Sequence, residues 1–224
     1  MLTRGDETVA DCLEVFDQVE SLGLRHVGFK DVGVGFGTLA RLNERIKAAG
    51  GTSYMEVVAP TAAGALESAR SAARIGVDRL LGGVEIEPMI EALSGTPVAY
   101  YPFVGRPTGH PMRLGGTPAE IAAHTARARS LGCAGVDLLA YRATESDPLE
   151  LIRAARRAMD GRLVVAGSID SPARIRAAAA AGADAFTIGS AAFEGSFCPG
   201  AGLTAQLKAI LETSAEAPPR AEPR

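Results

Sequence analysis

Lys30 and Glu56 are the two residues whose types and settings most clearly offer chemistry. Lys30 closes an apolar run, Leu24 to Phe29, that reads as a strand. Side chains alternate along a strand, so Val27 and Phe29 face the helices while His26, Gly28 and Lys30 face the interior. A lysine at the rim of an apolar interior sheds its proton through desolvation and serves as an amine nucleophile or base. Glu56, within Tyr54-Met55-Glu56-Val57-Val58, lies one strand over and is its acid/base partner. Such a couple suits Schiff-base chemistry or proton shuttling. The plain alternative is a buried structural ion pair. Asp31, next in sequence, points to the opposite face.

Two glycine turns come next. Val164-Val165-Ala166-Gly167-Ser168-Ile169 and Thr187-Ile188-Gly189-Ser190-Ala191 each lead an apolar strand into a Gly-Ser pair. A glycine lets the main chain approach an anion closely, and the N–H groups that follow point at its oxygens. Gly167, Ser168, Gly189 and Ser190 are therefore the expected phosphate-binding residues, against the alternative that these glycines serve tight turns alone. The stretch Val104 to Arg113 has the look of a lid, with Arg106 placed to bind a carboxylate or second anion and His110 to act as acid or base. Tyr141 and Arg142 end another strand and are expected to contact substrate. The three histidines, His26, His110 and His124, are too scattered for a metal site. Mg²⁺ on carboxylates is possible in principle, but no clustered pair commands it, so no metal or cofactor is expected.

These residues need a scaffold, and the chain supplies a regular one. Apolar runs alternate with segments of helical period, most of them stopped by Gly. Helices are predicted at 9–22, 38–49, 61–75, 86–93, 117–131, 148–159, 171–181 and 203–211. Strands are predicted at 24–29, 53–58, 77–81, 97–103, 136–140, 163–166 and 185–188, with Met1-Leu2-Thr3 as a short first strand. Eight βα units over residues 1–213 fit a single α/β domain, a (β/α)₈ TIM barrel. No glycine-rich dinucleotide fingerprint follows the first strand, which weighs against an open doubly wound sheet. Residues 214–224, rich in proline and charge, are expected to be a disordered tail.

A faint repeat, Gly76-Val77-Asp78, Gly135-Val136-Asp137 and Gly182-Ala183-Asp184, puts an aspartate near each of three strand entrances. Those positions favour a structural role, Asp137 least clearly. The 26 glycines fall mostly at helix ends, and the seven Phe, four Tyr and no Trp suit an interior filled by aliphatic side chains. With 23 basic against 26 acidic residues the net charge is −3, which argues against a nucleic-acid binder. No stretch is long and apolar enough to span a membrane, and the N-terminal residues do not read as a signal peptide. Cys12, Cys133 and Cys198 lack ligand spacing and read as free thiols of a cytoplasmic protein. The Ala-rich helix 173–181 could pack on its own sheet or make a homo-oligomer contact.

The pattern AGSID…RI…AAGADAFTIGSAAF resembles the phosphate site of the ribulose-phosphate-binding barrel superfamily, which includes phosphoribosyl isomerases and pentose-phosphate epimerases. The resemblance covers most of the chain and implies a barrel that grips a small phosphorylated substrate. It departs from the isomerases, whose first strand ends in Asp; here that strand reads Met1-Leu2-Thr3-Arg4, with Asp6 later. The epimerases' paired His and Asp metal ligands are absent. Phe29-Lys30-Asp31-Val32-Gly33 does not match the decarboxylases' Asp-x-Lys-x-x-Asp run. The expected function is an enzyme on a phosphorylated sugar or keto compound, an aldolase-like lyase with a reactive Lys30. Alternatives are a phosphosugar isomerase or epimerase, a non-catalytic phospholigand-binding barrel, and a dehydrogenase similar to the hydroxythreonine-phosphate enzymes.

Overall fold

Short apolar strands separated by amphipathic helices demand a layered arrangement, with strands inside and helices covering them. The computed structural model describes residues 1–59, 61–109 and 111–216, which group into two compact units, Met1–Pro102 and Phe103 onward.

The first unit opens with a hairpin, β1 (Thr3–Arg4) against β2 (Glu7–Thr8), followed by helix α1 (Cys12–Val19) and a 3₁₀ turn, Glu20–Leu22. Strands β3 (His26–Lys30), β4 (Thr52–Glu56), β5 (Arg79–Leu81) and β6 (Ala99–Tyr101) then form one parallel sheet in chain order. Between them run α2 (Phe36–Ala48), α3 (Ala62–Ile75) and α4 (Ile86–Ala92). The register sets Lys30 beside Glu56 and Glu56 beside Leu81, with Gly28, Tyr54 and Arg79 two residues below. Phe29, Met55 and Leu80, on the alternate positions, are fully buried together with Leu42 and Ile46 of α2. Each such side chain contributes about 1.5–3 kcal/mol on burial.

The second unit carries hairpin β7 (Arg106–Thr108) with β8 (Arg113–Gly115), α5 (Pro118–Ser130), β9 (Gly135–Leu138), a 3₁₀ turn Ala140–Arg142 and α6 (Pro148–Ala158). It continues through β10 (Arg162–Val165), α7 (Pro172–Ala181), β11 (Ala185–Phe186), the single-turn α8 (Ser190–Phe193) and α9 (Leu203–Glu216). Strands β9, β10 and β11 are parallel, and Phe103 bridges to Asp137 in the same sense. Thr117 and Glu120 form a capping box at the start of α5.

Several sequence expectations need correction. The expected first strand is instead half of a tight antiparallel hairpin, although the Leu2 N–H still donates to the Gly28 carbonyl of β3 at 2.7 Å. Ser214 to Glu216 continue α9 and are not tail; 217–224 lie outside the described residues. Part of the expected lid is the β7–β8 hairpin, because Arg106 to Thr108 and Arg113 to Gly115 pair their backbones.

Asp78 and Asp184 pin strand entrances. The Asp78 carboxylate accepts from Ser53 N at 2.8 Å and pairs with Lys47 at 3.1 Å; burial opposes its charge, but these partners hold its pKa below the ordinary value. Asp184 accepts from Leu163 N at 2.7 Å and pairs with Arg156 at 2.6 Å. Asp137 differs: it sits inside β9 and is wholly buried. No helix of the described residues is long and apolar enough to cross a membrane.

Candidate functional site

In the first unit the chemistry gathers on Lys30. Its Nζ lies 2.9 Å from Asp6 Oδ1 and 3.1 Å from Glu56 Oε1, and all three side chains are about nine-tenths buried. Glu56 reaches Lys30 because β3 and β4 pair in register. Asp6 arrives by another route. Gly5 and Asp6 form the two-residue turn of the β1–β2 hairpin with φ of +60° and +65°, the left-handed pair that a type I′ turn requires. A non-glycine residue there costs roughly 1–2 kcal/mol, which the short polar Asp side chain bears better than most.

Thr8 then locks the hairpin to β3. Its hydroxyl donates to the Lys30 carbonyl at 2.8 Å and accepts from the Lys30 N–H at 2.8 Å.

The expectation of a neutral amine rested on burial alone, and the two carboxylates act against burial. Burial by itself pulls the Lys30 pKa down, but the Glu56 and Asp6 carboxylates together outweigh it, and the net direction is upward. That direction favours the ammonium form of Lys30, which can donate a proton or stabilise negative charge.

Asp31 faces the helices, as alternation predicts. It accepts from Val58 N at 3.0 Å and from the Ser68 hydroxyl of α3, and burial raises its pKa. It ties the end of β3 to the segment leaving β4.

In the second unit the ends of β9, β10 and β11 lie side by side, so Tyr141-Arg142, Gly167-Ser168 and Gly189-Ser190 leave neighbouring strands. Gly167 and Ser168 have φ of +75° and +55° in succession, so both residues of the turn are left-handed. The Arg142 side chain packs directly on Gly167: a Cβ there would stand 2.4 Å from its Nε. Arg174 Nη1 holds the Ser168 carbonyl at 2.6 Å and Asp170 at 2.7 Å, while its guanidinium covers the Tyr141 ring. The Tyr141 hydroxyl donates to the Arg174 carbonyl at 3.1 Å, and burial raises its pKa. Gly189 precedes α8, which begins at Ser190.

Arg106 is engaged elsewhere. Its guanidinium pairs with Glu120 and, at 2.8 Å, with Glu145, fastening the β7–β8 hairpin to α5 and to the segment before α6. His110 lies outside the described residues. His26 and His124 are held by Tyr54 and by Gly105 N. Among the described residues no group of three His, Cys, Asp or Glu side chains is placed to hold a metal.

Asp6 and Arg174 are the residues that sequence reasoning missed. A signal for Asp6 was present: Gly5-Asp6 between Thr3-Arg4 and Glu7-Thr8 is a two-residue hairpin loop, which brings an acid back over the strand that follows.

The class of fold these units define is α/β with parallel strands, and solved structures extend that to the TIM barrel. Orotidine 5'-phosphate decarboxylase from Pyrococcus horikoshii OT3 aligns with a TM-score of 0.65 at 15% identity, covering 91% of this chain and 93% of that one. A 3-hexulose-6-phosphate synthase aligns with a TM-score of 0.64 at 17% identity, covering 90% and 92%. At the level of sequence, the chain is 39% identical over 109 residues to a geranylgeranylglyceryl phosphate synthase of Cenarchaeum symbiosum (strain A). That match spans 48% of this chain and 42% of the relative's length. No family profile matches the chain.

Proposed function

We propose that the chain is an enzyme acting on a small phosphorylated carbonyl compound, with Lys30 working as an ammonium ion. The observation that carries this reading is the Asp6–Lys30–Glu56 triad, which buries one cation between two carboxylates. In the proposed step Glu56 takes a proton from the carbon next to the carbonyl, and Lys30 donates a hydrogen bond or its proton to the carbonyl oxygen as negative charge develops there. Asp6 keeps Lys30 protonated and oriented. If Glu56 instead takes the proton of a β-hydroxyl, the adjacent carbon–carbon bond breaks, the β carbon leaves as an aldehyde and the same enolate forms, which makes a lyase; return of a proton to the neighbouring carbon of an enediolate makes an isomerase. In the second unit, the Gly167-Ser168 turn with Arg142, and Gly189-Ser190, are the proposed phosphate contacts, and Tyr141 a substrate contact. The names of the three proteins described above each carry a phosphate, which supports the phosphorylated substrate class.

The test is carbon-bound proton exchange. A panel of phosphorylated ketoses and keto acids incubated in D₂O with the full chain is followed by NMR. Deuterium entry that Lys30→Met and Glu56→Gln abolish, with no borohydride-trapped adduct on Lys30, is the expected result. A trapped adduct, or exchange that survives Lys30→Met, refutes it.

A second reading rests on the 39% identity to a geranylgeranylglyceryl phosphate synthase. It keeps the same phosphate contacts and makes the chain a transferase. Product formed from a glyceryl phosphate and a geranylgeranyl donor, with no exchange on any ketose, would select it.

A further inference from the structure

Arg79 is a cation that the proposed reaction does not use, and it is set up differently from Lys30. It opens β5 with its Cα in register with Tyr54 and Ala99, and it is half-buried. Its guanidinium stands 5.1 Å from the centre of the Tyr54 ring and 5.9 Å from that of Tyr101. Nη1 donates to the Tyr54 hydroxyl at 2.6 Å, and that hydroxyl lies 3.1 Å from Nδ1 of His26. His26 is exposed and begins β3, at the end opposite Lys30. The cluster therefore reaches solvent at the strand entrances.

Among the described residues no carboxylate comes within salt-bridge distance of Arg79, and no hydrogen bond leaves its Nε or Nη2. Lys30, on the same sheet, has two carboxylates. Rings within cation–π reach and a bond from Nη1 leave the Nε/Nη2 edge of the guanidinium, where two parallel N–H groups match the spacing of two oxygens in a carboxylate or phosphate. Cation–π contact offsets only part of the lost hydration of a half-buried cation, so an anion at that edge is favoured.

We propose that Arg79, with Tyr54 and His26, forms a second anion site at the entrance end of the first unit's sheet. It takes a small oxyanion, a phosphate or a carboxylate, bidentate on the Nε/Nη2 edge of Arg79. The site uses no residue of the glycine turns.

The chain's three histidines give a clean readout. Inorganic phosphate and, separately, succinate are titrated into the full chain at constant pH and ionic strength, and the imidazole resonances are followed by ¹H–¹⁵N NMR, with His26→Gln to assign His26. The expected result is a saturable shift of the His26 resonance with at least one of the two anions, weakened at least about tenfold in Arg79→Met. Arg79→Lys keeps the charge without the paired N–H edge; it is expected to weaken the shift as well, and it serves if Arg79→Met fails to fold. A His26 resonance that moves with neither anion overturns the proposal, as does an unchanged response in Arg79→Lys. Phosphate binding seen by calorimetry that Gly167→Ala removes, with His26 unmoved, would leave the proposed phosphate turn standing and remove this second site alone.

Discussion

Thr8 holds both main-chain groups of Lys30, donating to its carbonyl and accepting from its N–H at 2.8 Å each. One hydroxyl thus fixes the end of β2 to the end of β3, 22 residues apart in sequence. The Asp6–Lys30 contact depends on that clamp, because the turn carrying Asp6 belongs to a hairpin whose strands are two residues each. Thr8→Val keeps the shape and removes the hydroxyl. It is expected to lower activity in the proton-exchange assay while far-UV circular dichroism stays unchanged, since only the placement of Asp6 is loosened.

Removing the cation strands two buried carboxylates. Lys30→Met is expected to destabilise the chain by about 3–5 kcal/mol in urea unfolding, the usual cost of breaking a buried ion pair from one side. The double variant Lys30→Met/Glu56→Gln should recover part of that loss, because one uncompensated charge is gone. Activity stays absent in both. Equal stability of the single and double variants would show that the carboxylates do not depend on Lys30.

The charge state of Lys30 makes a prediction with a defined sign. Its folded pKa lies above the ordinary 10.5, so its contribution to stability is complete below 10.5 and is lost as pH rises through the higher folded value. The urea midpoint of the native chain should fall in that alkaline window, and that of Lys30→Met should fall less. Asp6→Asn, which tolerates the left-handed turn and removes one carboxylate, should lower the Lys30 pKa measured through its ¹⁵Nζ resonance.

Gly167→Ala tests the turn in the second unit. A methyl group there meets Arg142 Nε at 2.4 Å and must sit at φ +75°. Left-handed strain alone is worth roughly 1–2 kcal/mol. The expected outcome is a modest loss of stability with a rise in KM for phosphorylated substrate of at least about tenfold, since Arg142 is displaced.

Arg106→Ala separates a fastening role from a substrate contact. The guanidinium is exposed and occupied by Glu120 and Glu145. KM is expected to stay unchanged, with faster amide exchange confined to the β7–β8 hairpin. A raised KM would return Arg106 to the substrate.

Much of the scaffold was readable from local pattern. The predicted strands and helices lie within a few residues of those found, because alternation and helical periodicity are short-range properties of the chain. Alternation also put Lys30 and Asp31 on opposite faces correctly, and the structure has Lys30 meeting Glu56 and Asp31 meeting Ser68. The Gly167-Ser168 turn was visible as an apolar strand ending in Gly-Ser. The hairpin and its ion pairs within Val104 to Arg113 were not legible: glycines and prolines suit a hairpin as well as a loop, and Glu120 and Glu145 are too distant in sequence to enter a local reading.

What the sequence determined by itself is which side chains each element presents to which face. That follows from backbone geometry, which repeats every two or 3.6 residues whatever lies opposite. Tertiary structure alone decided which charges meet. Asp6 is 24 residues from Lys30, and its approach depends on a turn, a hairpin and the Thr8 clamp acting together. The protonation of Lys30 was decided there too: burial and neighbouring carboxylates push its pKa in opposite directions, and only their positions in space determine which prevails.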